Sequence, residues 1–211
     1  MLRLMLGILT TCYALVFAVV VTAGEARPFC PKATESNFYF PDGILESRTD
    51  LDEYVRAWYS KPLRIVGEPS LSCGQAPGTE VYRFLWLRTF HHPISIRVTR
   101  SDNKTALVAA ELTGAGGSDP GSVARRVDKI LAIAEWKGLE AALSGTAFWK
   151  MSTRQPDKEV GLDGAQWIVE GRRVAEYHVV HRWTPRTGSY REAGLHFLEL
   201  SGLRIPQQEL Y

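Results

Sequence analysis

Apolar and polar positions follow a helical period near the start of the folded part of the chain. Residues 49–53 supply an N-cap threonine and acidic first-turn residues, and the apolar positions Leu51, Val55 and Trp58 continue at helical spacing as far as Lys61-Pro62. This pattern predicts a first helix of about three turns that Pro62 ends.

The middle of the chain has the patterns of strands. Its first run is apolar on both faces, which is typical of a central strand, and the next two alternate between apolar and polar residues. Turn residues Ser101-Asp102-Asn103-Lys104 join the second run to the third. We therefore expect a meander of three strands, at 81–89, 94–100 and 105–112.

Two patterns follow the glycine-rich loop 113–121. Residues 123–133 fit either a fourth strand or the start of a helix, and the apolar positions of 134–143 are helical, with Gly145 placed where a glycine follows a helix.

The last part of the chain predicts a hairpin and a closing helix. Residues 166–171 and 176–183 are rich in β-forming residues, and 172–175 separate them. Ser189 and Glu192 have the spacing of a capping box, and Gly202 marks the end of the helix.

These elements predict one α+β domain over residues 49–211. We expect a mainly antiparallel sheet of about five to seven strands with two or three packed helices, because strands and helices occur in separate runs. An irregular arm, residues 24–48, precedes this domain.

The N-terminus has the features of an export signal. Arg3 is followed by a mostly apolar run over residues 4–23, and small or short residues precede a cleavage site after Ala23. The alternative is an uncleaved helix that anchors residues 4–23 in the inner membrane, since about 20 apolar residues can cross a bilayer.

The cysteines agree with export. Cleavage removes Cys12 and leaves Cys30 and Cys73, which in an oxidising compartment favour a disulfide bond. The alternative is two unrelated buried thiols.

Charge and motifs exclude several functions. The chain has 25 Lys+Arg against 23 Asp+Glu, a formal net charge of +2, which predicts no nucleic-acid partner. Loop 113–121 has Asp119 at the third glycine position of a dinucleotide-binding motif, and the nucleophile motif G-x-S-x-G is absent. We therefore expect no cofactor.

One group of polar residues on the hairpin is a candidate site. An even-numbered turn at Arg173-Val174 would place Glu170 opposite Tyr177, and Gln166 opposite His181, all on one face. If that face is a cleft, this carboxylate is a possible acid, base or ligand-binding group. We favour instead an ion pair, at the rim of the sheet, between Glu170 and an arginine such as Arg97 or Arg182.

A metal site is not expected on the hairpin. His178 and His181 are three residues apart, so in a strand they point to opposite faces of the sheet.

The C-terminal third resembles a family of small uncharacterised bacterial proteins. The resemblance lies in D-G-x-x-W-x-x-E-G over residues 163–171, Y-H-x-V-x-R-W-x-P over residues 177–185, and the closing 197–203. It implies a bacterial source, and hence the periplasm as the destination, but no catalytic residue.

The sequence thus favours an exported, periplasmic or secreted, non-enzymatic binding or structural module. We expect it to bind a protein or a small ligand through its sheet or loop 113–121, with no membrane contact beyond the signal. The alternative is a carboxylate-dependent hydrolase that uses Glu170 with Asp163, Tyr177 or His181.

Export is tested by mass spectrometry of the protein purified from cells. We expect a mature chain that begins at Gly24, because signal peptidase would cleave after Ala23. A chain that still begins at Met1 in the cytoplasmic fraction would contradict export.

Overall fold

The computed structural model describes residues 38–74, 78–102, 104–155, 163–174 and 176–211. The helices are α1 (Thr49–Ile65), α2 (Ile133–Gly145) and α3 (Ser189–Ser201). The strands are β1 (Thr79–Arg88), β2 (Ile94–Ser101), β3 (Lys104–Leu112), β4 (Val123–Leu131), β5 (Ala165–Arg173) and β6 (Glu176–Trp183).

All six strands form one antiparallel sheet in the order β4-β3-β2-β1-β5-β6. The first four strands are a meander. The chain then returns from the β4 edge through α2 to place β5 beside β1. The predicted α+β class is therefore confirmed, with six strands and three helices among the described residues.

The predicted signal, residues 1–23, lies outside the described residues, and so does most of the predicted arm. Cys30 is also outside them, so its bond to Cys73 stays a prediction, although Cys73 is not a free thiol. Within the described ranges, no helix has the length and apolar character needed to span a membrane.

Apolar residues lie on both faces of the sheet. Helices α2 and α3 cover one face, where Trp86, Trp136 and Trp167 are fully buried. On the other face α1 and the segment before it cover β1, β5 and β6, with Tyr59 and Leu63 in that second cluster. Strand β1 is central and nearly wholly buried, as its two-sided apolar pattern predicted.

The first helix does not end at Pro62. It continues to Ile65, and the carbonyl of Pro62 accepts a bond from the Val66 amide at 3.1 Å. Leu63, in this added turn, is completely buried, so packing outweighs the amide hydrogen bond that Pro62 lacks.

The other helix ends also differ slightly from the predictions. The N-cap of α3 is Gly188, and Ser189 is the first helical residue, so the predicted capping box is absent. Gly145 is the last residue of α2 and does not follow it. Gly202 ends α3 in the left-handed conformation, with φ 70°, as expected.

Gly194 provides a test of helix packing against the sheet. A Cβ at this position would overlap the Trp167 ring, so Gly194→Ala should lower the free energy of unfolding by about 1–3 kcal/mol in urea titrations. Gly145→Ala is the matched control, because no atom lies within 4 Å of its Cβ position. Equal effects of the two substitutions would contradict this packing.

Candidate functional site

The hairpin register differs from the prediction by two residues. Glu170 lies opposite Val179, and Ile168 lies opposite His181, because Arg173 pairs with Glu176 and the turn falls one residue later. Val174 in this turn has φ 46°. A shift of two residues keeps every side chain on its face, so Glu170, Tyr177 and His181 do share one face of the sheet.

Glu170 is the acceptor of a fully buried ion pair. Arg83 lies directly opposite it across β1 and β5 and donates from Nε at 2.7 Å and also from Nη2. The Tyr177 hydroxyl donates to the other carboxylate oxygen at 2.9 Å. The prediction of an arginine partner is confirmed, but the pair is buried inside the sheet and not at its rim, and neither Arg97 nor Arg182 is that partner.

Both predicted arginines have other partners. Arg97 donates to Glu68 at 2.7 Å, and the same Glu68 lies 3.5 Å from Arg83. Arg182 donates to the carbonyl of Thr153 at 3.0 Å. Arg83 also donates to the carbonyl of Pro69 at 2.7 Å, so the network joins the segment before β1 to the sheet.

Burial and charge oppose each other in this pair. Burial raises the pKa of the Glu170 carboxyl, while Arg83 and the Tyr177 hydrogen bond lower it. Burial lowers the pKa of Arg83, but the charges of Glu170 and Glu68 outweigh burial and leave that pKa raised. Glu170 is completely buried and both of its oxygens are bonded, so it cannot reach a substrate.

Of the three partners suggested for Glu170 in a hydrolase, Tyr177 is hydrogen-bonded to it, whereas Asp163 and His181 lie elsewhere. Asp163 precedes β5 and is exposed, seven residues from Glu170, which is roughly 23 Å along an extended strand. His181 is buried, with Nδ1 3.2 Å from the Tyr59 hydroxyl and Nε2 3.2 Å from the Leu45 carbonyl. Burial lowers the pKa of His181 to about 4, so the ring is neutral at neutral pH.

His178 lies on the opposite face, 3.0 Å from the carbonyl of Met151, as the spacing predicted. In the part of the chain that the structure describes, no group of three or more His, Cys, Asp or Glu side chains could hold a metal ion.

Loop 113–121 packs tightly against the end of β1. The Gly116 amide donates to the Arg88 carbonyl at 2.8 Å, and Trp58 donates to the Gly116 carbonyl at 2.7 Å. A Cβ on Gly116 would lie 2.6 Å from the Arg88 amide nitrogen. The glycine therefore allows backbone to approach backbone, and the loop is a packed connection between α1 and the sheet.

A pocket of about 470 Å³ opens at the end of the sheet where β1 and β6 finish and β5 begins. Five parts of the chain line it: the β1–β2 turn, the start of β5, the segment after β6, the first turn of α3 and the C-terminal residues. The lining residues are Phe90, His91, Asp163, Gly164, Thr184, Pro185, Arg186, Arg191, Leu210 and Tyr211.

Hydrogen bonds fix the polar rim of this pocket. The Thr89 amide donates to the Gly164 carbonyl at 2.9 Å, and the Ala165 amide donates to the Thr184 hydroxyl at 2.9 Å. A Cβ on Gly164 would overlap Thr184 Oγ1, so only glycine fits between these strands. Thr184 itself has φ 41°, a conformation that non-glycine residues adopt rarely.

Indole and guanidinium groups donate hydrogen bonds to the C-terminal residues that form one wall of the pocket. Trp86 and Trp167 donate to the backbone oxygen of Tyr211 at 3.2 and 2.9 Å. Arg191 donates to the carbonyls of Leu210 and Pro185 at 2.7 and 3.1 Å. These contacts preform the wall.

The pocket combines an apolar wall with excess positive charge. The described lining side chains include two arginines, Arg186 and Arg191, and one acid, Asp163, and neither arginine forms an ion pair with a described residue. Phe90 is 67% exposed at the rim, although most large apolar side chains of the described chain are buried. An exposed aromatic beside uncompensated arginines is suited to an amphipathic anion.

The sequence named Asp163 only as a possible hydrolase partner of Glu170, and it predicted no pocket here. Two parts of the quoted pattern, Asp163-Gly164 and Thr184-Pro185, meet here, because β5 is antiparallel to β6. The strand order that adds Phe90 and Arg191 could not be read from local periodicity.

A scan of the chain against protein-family models gives no match. A search of curated proteins finds no significant relative.

Glu170→Gln tests the structural role of the buried pair. Removing one charge leaves the buried Arg83 with only the more distant Glu68, at 3.5 Å, as a described carboxylate partner, so we expect the free energy of unfolding to fall by about 3 kcal/mol in urea titrations. Glu176→Gln is the control on the same hairpin, where an exposed pair with Arg173 at 2.9 Å should contribute less than about 1 kcal/mol. A Glu170→Gln protein as stable as the control would refute this role.

Proposed function

We propose that the protein is an exported, non-enzymatic binding module that takes up a small organic anion in the pocket between Phe90 and Arg186. The observation that carries the proposal is a preformed pocket of about 470 Å³ whose arginines have no carboxylate partner among the described residues. This volume is within the range of small-molecule sites in proteins, about 300–1,000 Å³.

The lining supports a ligand with two chemical parts. Phe90, Pro185 and Leu210 offer apolar contact for a flat or branched body. Arg186 is exposed at the rim and has a guanidinium group free of described partners, which suits a carboxylate. A carboxylate bound there would balance the second positive charge of the site.

Among the described residues, no set of catalytic groups is assembled at the pocket, which favours binding over catalysis. The described lining contains one carboxylate side chain, and the buried acid Glu170 is not part of it. His91 is the lining residue suited to proton transfer, but its Nδ1 already lies 2.6 Å from the Tyr211 hydroxyl.

Three probes of similar size and different charge test the proposal: phenylacetate, 2-phenylethanol and 2-phenylethylamine. Calorimetry or NMR titration should give phenylacetate a dissociation constant on the order of 1 mM, at least about tenfold below that of the amine. Arg186→Gln should remove most of this preference, because the charge-assisted contact is lost.

Arg125→Gln on β4, at the opposite edge of the sheet from β6, is the matched control and should bind phenylacetate as the unaltered protein does. No binding of any probe, or equal affinity in Arg186→Gln, would contradict the proposal.

A further inference from the structure

Within the described ranges, no segment pairs with the outer edge of strand β4. Its first four residues are exposed, and only Leu131 at its end is buried. The other edge strand, β6, has cover: the amide of His181 bonds to the Thr153 carbonyl at 3.0 Å, and that of Trp183 to Gln155 at 3.1 Å. An uncovered edge strand presents backbone donors and acceptors to another strand.

Exposed apolar side chains gather at this edge. Six large apolar side chains of the described chain are exposed, and three of them lie in or beside β4. These are Val123 at 42%, Ile130 at 73% and Ile133 at 52% exposure. Apolar residues on an open edge favour pairing with a second strand over solvation.

The charges of β4 are self-complementary in one register. Arg126 and Asp128 lie on one face, on either side of Val127, and within one chain they form an exposed ion pair at 2.9 Å. If two copies pair antiparallel with Val127 opposite Val127, each Arg126 lies opposite Asp128 of the second copy. The neighbouring registers would oppose Arg126 to Arg126 or Asp128 to Asp128.

On the other face of β4 the same register places Arg125 opposite Lys129 of the second copy, which is a like-charge pair. The ion pair between Arg125 and Glu111 of β3, at 2.8 Å, offsets part of that repulsion. The same register brings Ile130 beside Ala124 of the second copy, so apolar contacts flank the two Arg126–Asp128 pairs.

We propose that the protein forms a two-fold homodimer in which two β4 strands pair antiparallel about Val127, joining the two six-stranded sheets into one. The pocket lies toward the β6 side of each sheet, so both copies keep it open to solvent. The dimer is therefore independent of the proposed function.

Exchanging the charges of Arg126 and Asp128 tests both the dimer and the register in which its two β4 strands pair. Sedimentation equilibrium of the purified full-length protein, at concentrations up to about 1 mM, should show a reversible dimer. Arg126→Asp and Asp128→Arg should each raise its dissociation constant at least about tenfold, because each creates two like-charge pairs. The double variant should return it to within about threefold of the original value.

Arg48→Asp, with the double variant Arg48→Asp and Asp50→Arg, is the matched control. Arg48 and Asp50 form an exposed pair of the same spacing at 2.6 Å at the start of α1, and exchange there should leave the dimer unchanged. Circular dichroism verifies that all variants are folded. A monomer at every concentration, or a dimer that both single β4 variants leave intact, would overturn the proposal.

Discussion

The buried Arg83–Glu170 pair is the constraint on which the rest of the sheet depends. A charge in the apolar interior is costly unless it is paired and hydrogen-bonded. Arg83 meets this requirement only when β1 and β5 are in the observed register, since the two residues lie directly opposite each other. A slip of one residue would move one of the charges to the other face of the sheet. The pair therefore specifies register in addition to any contribution to stability.

The same pair connects the sheet to its cover. The Tyr177 hydroxyl bonds β6 to the pair, and the carbonyl of Pro69 bonds the segment between α1 and β1 to it. Glu68 extends the network to Arg97 on β2. Of the polar residues considered for catalysis, Glu170 and His181 are thus part of the interior of the fold, whereas Asp163 is exposed. The pocket is built at the end of the same strands, where their side chains meet solvent.

Local patterns predicted most of the elements but not what surrounds them. The two-sided apolar run of β1 and the alternation of β2 predicted their positions in the sheet. The spacing of apolar side chains along a strand shows which of its faces are buried. The prediction of the sheet face on which Glu170 lies was correct, because that face depends only on an even turn length.

The partner of Glu170 was missed because Arg83 lies 87 residues away in the chain, and the β1–β5 pairing leaves no local signal in the sequence. Helix ends were wrong where tertiary burial decided them, as at Leu63. The pocket was missed for a similar reason, since five distant parts of the chain form it.

The buried polar residues maintain the fold, and we propose that ligand binding belongs to the pocket. Two-dimensional NMR of the protein titrated with phenylacetate tests this division most directly. We predict saturable shift changes at the amides of Gly164, Arg186 and Arg191, with those of Glu170, Tyr177 and His181 unchanged. Changes centred on Glu170 and Tyr177, with none at the pocket, would contradict the account.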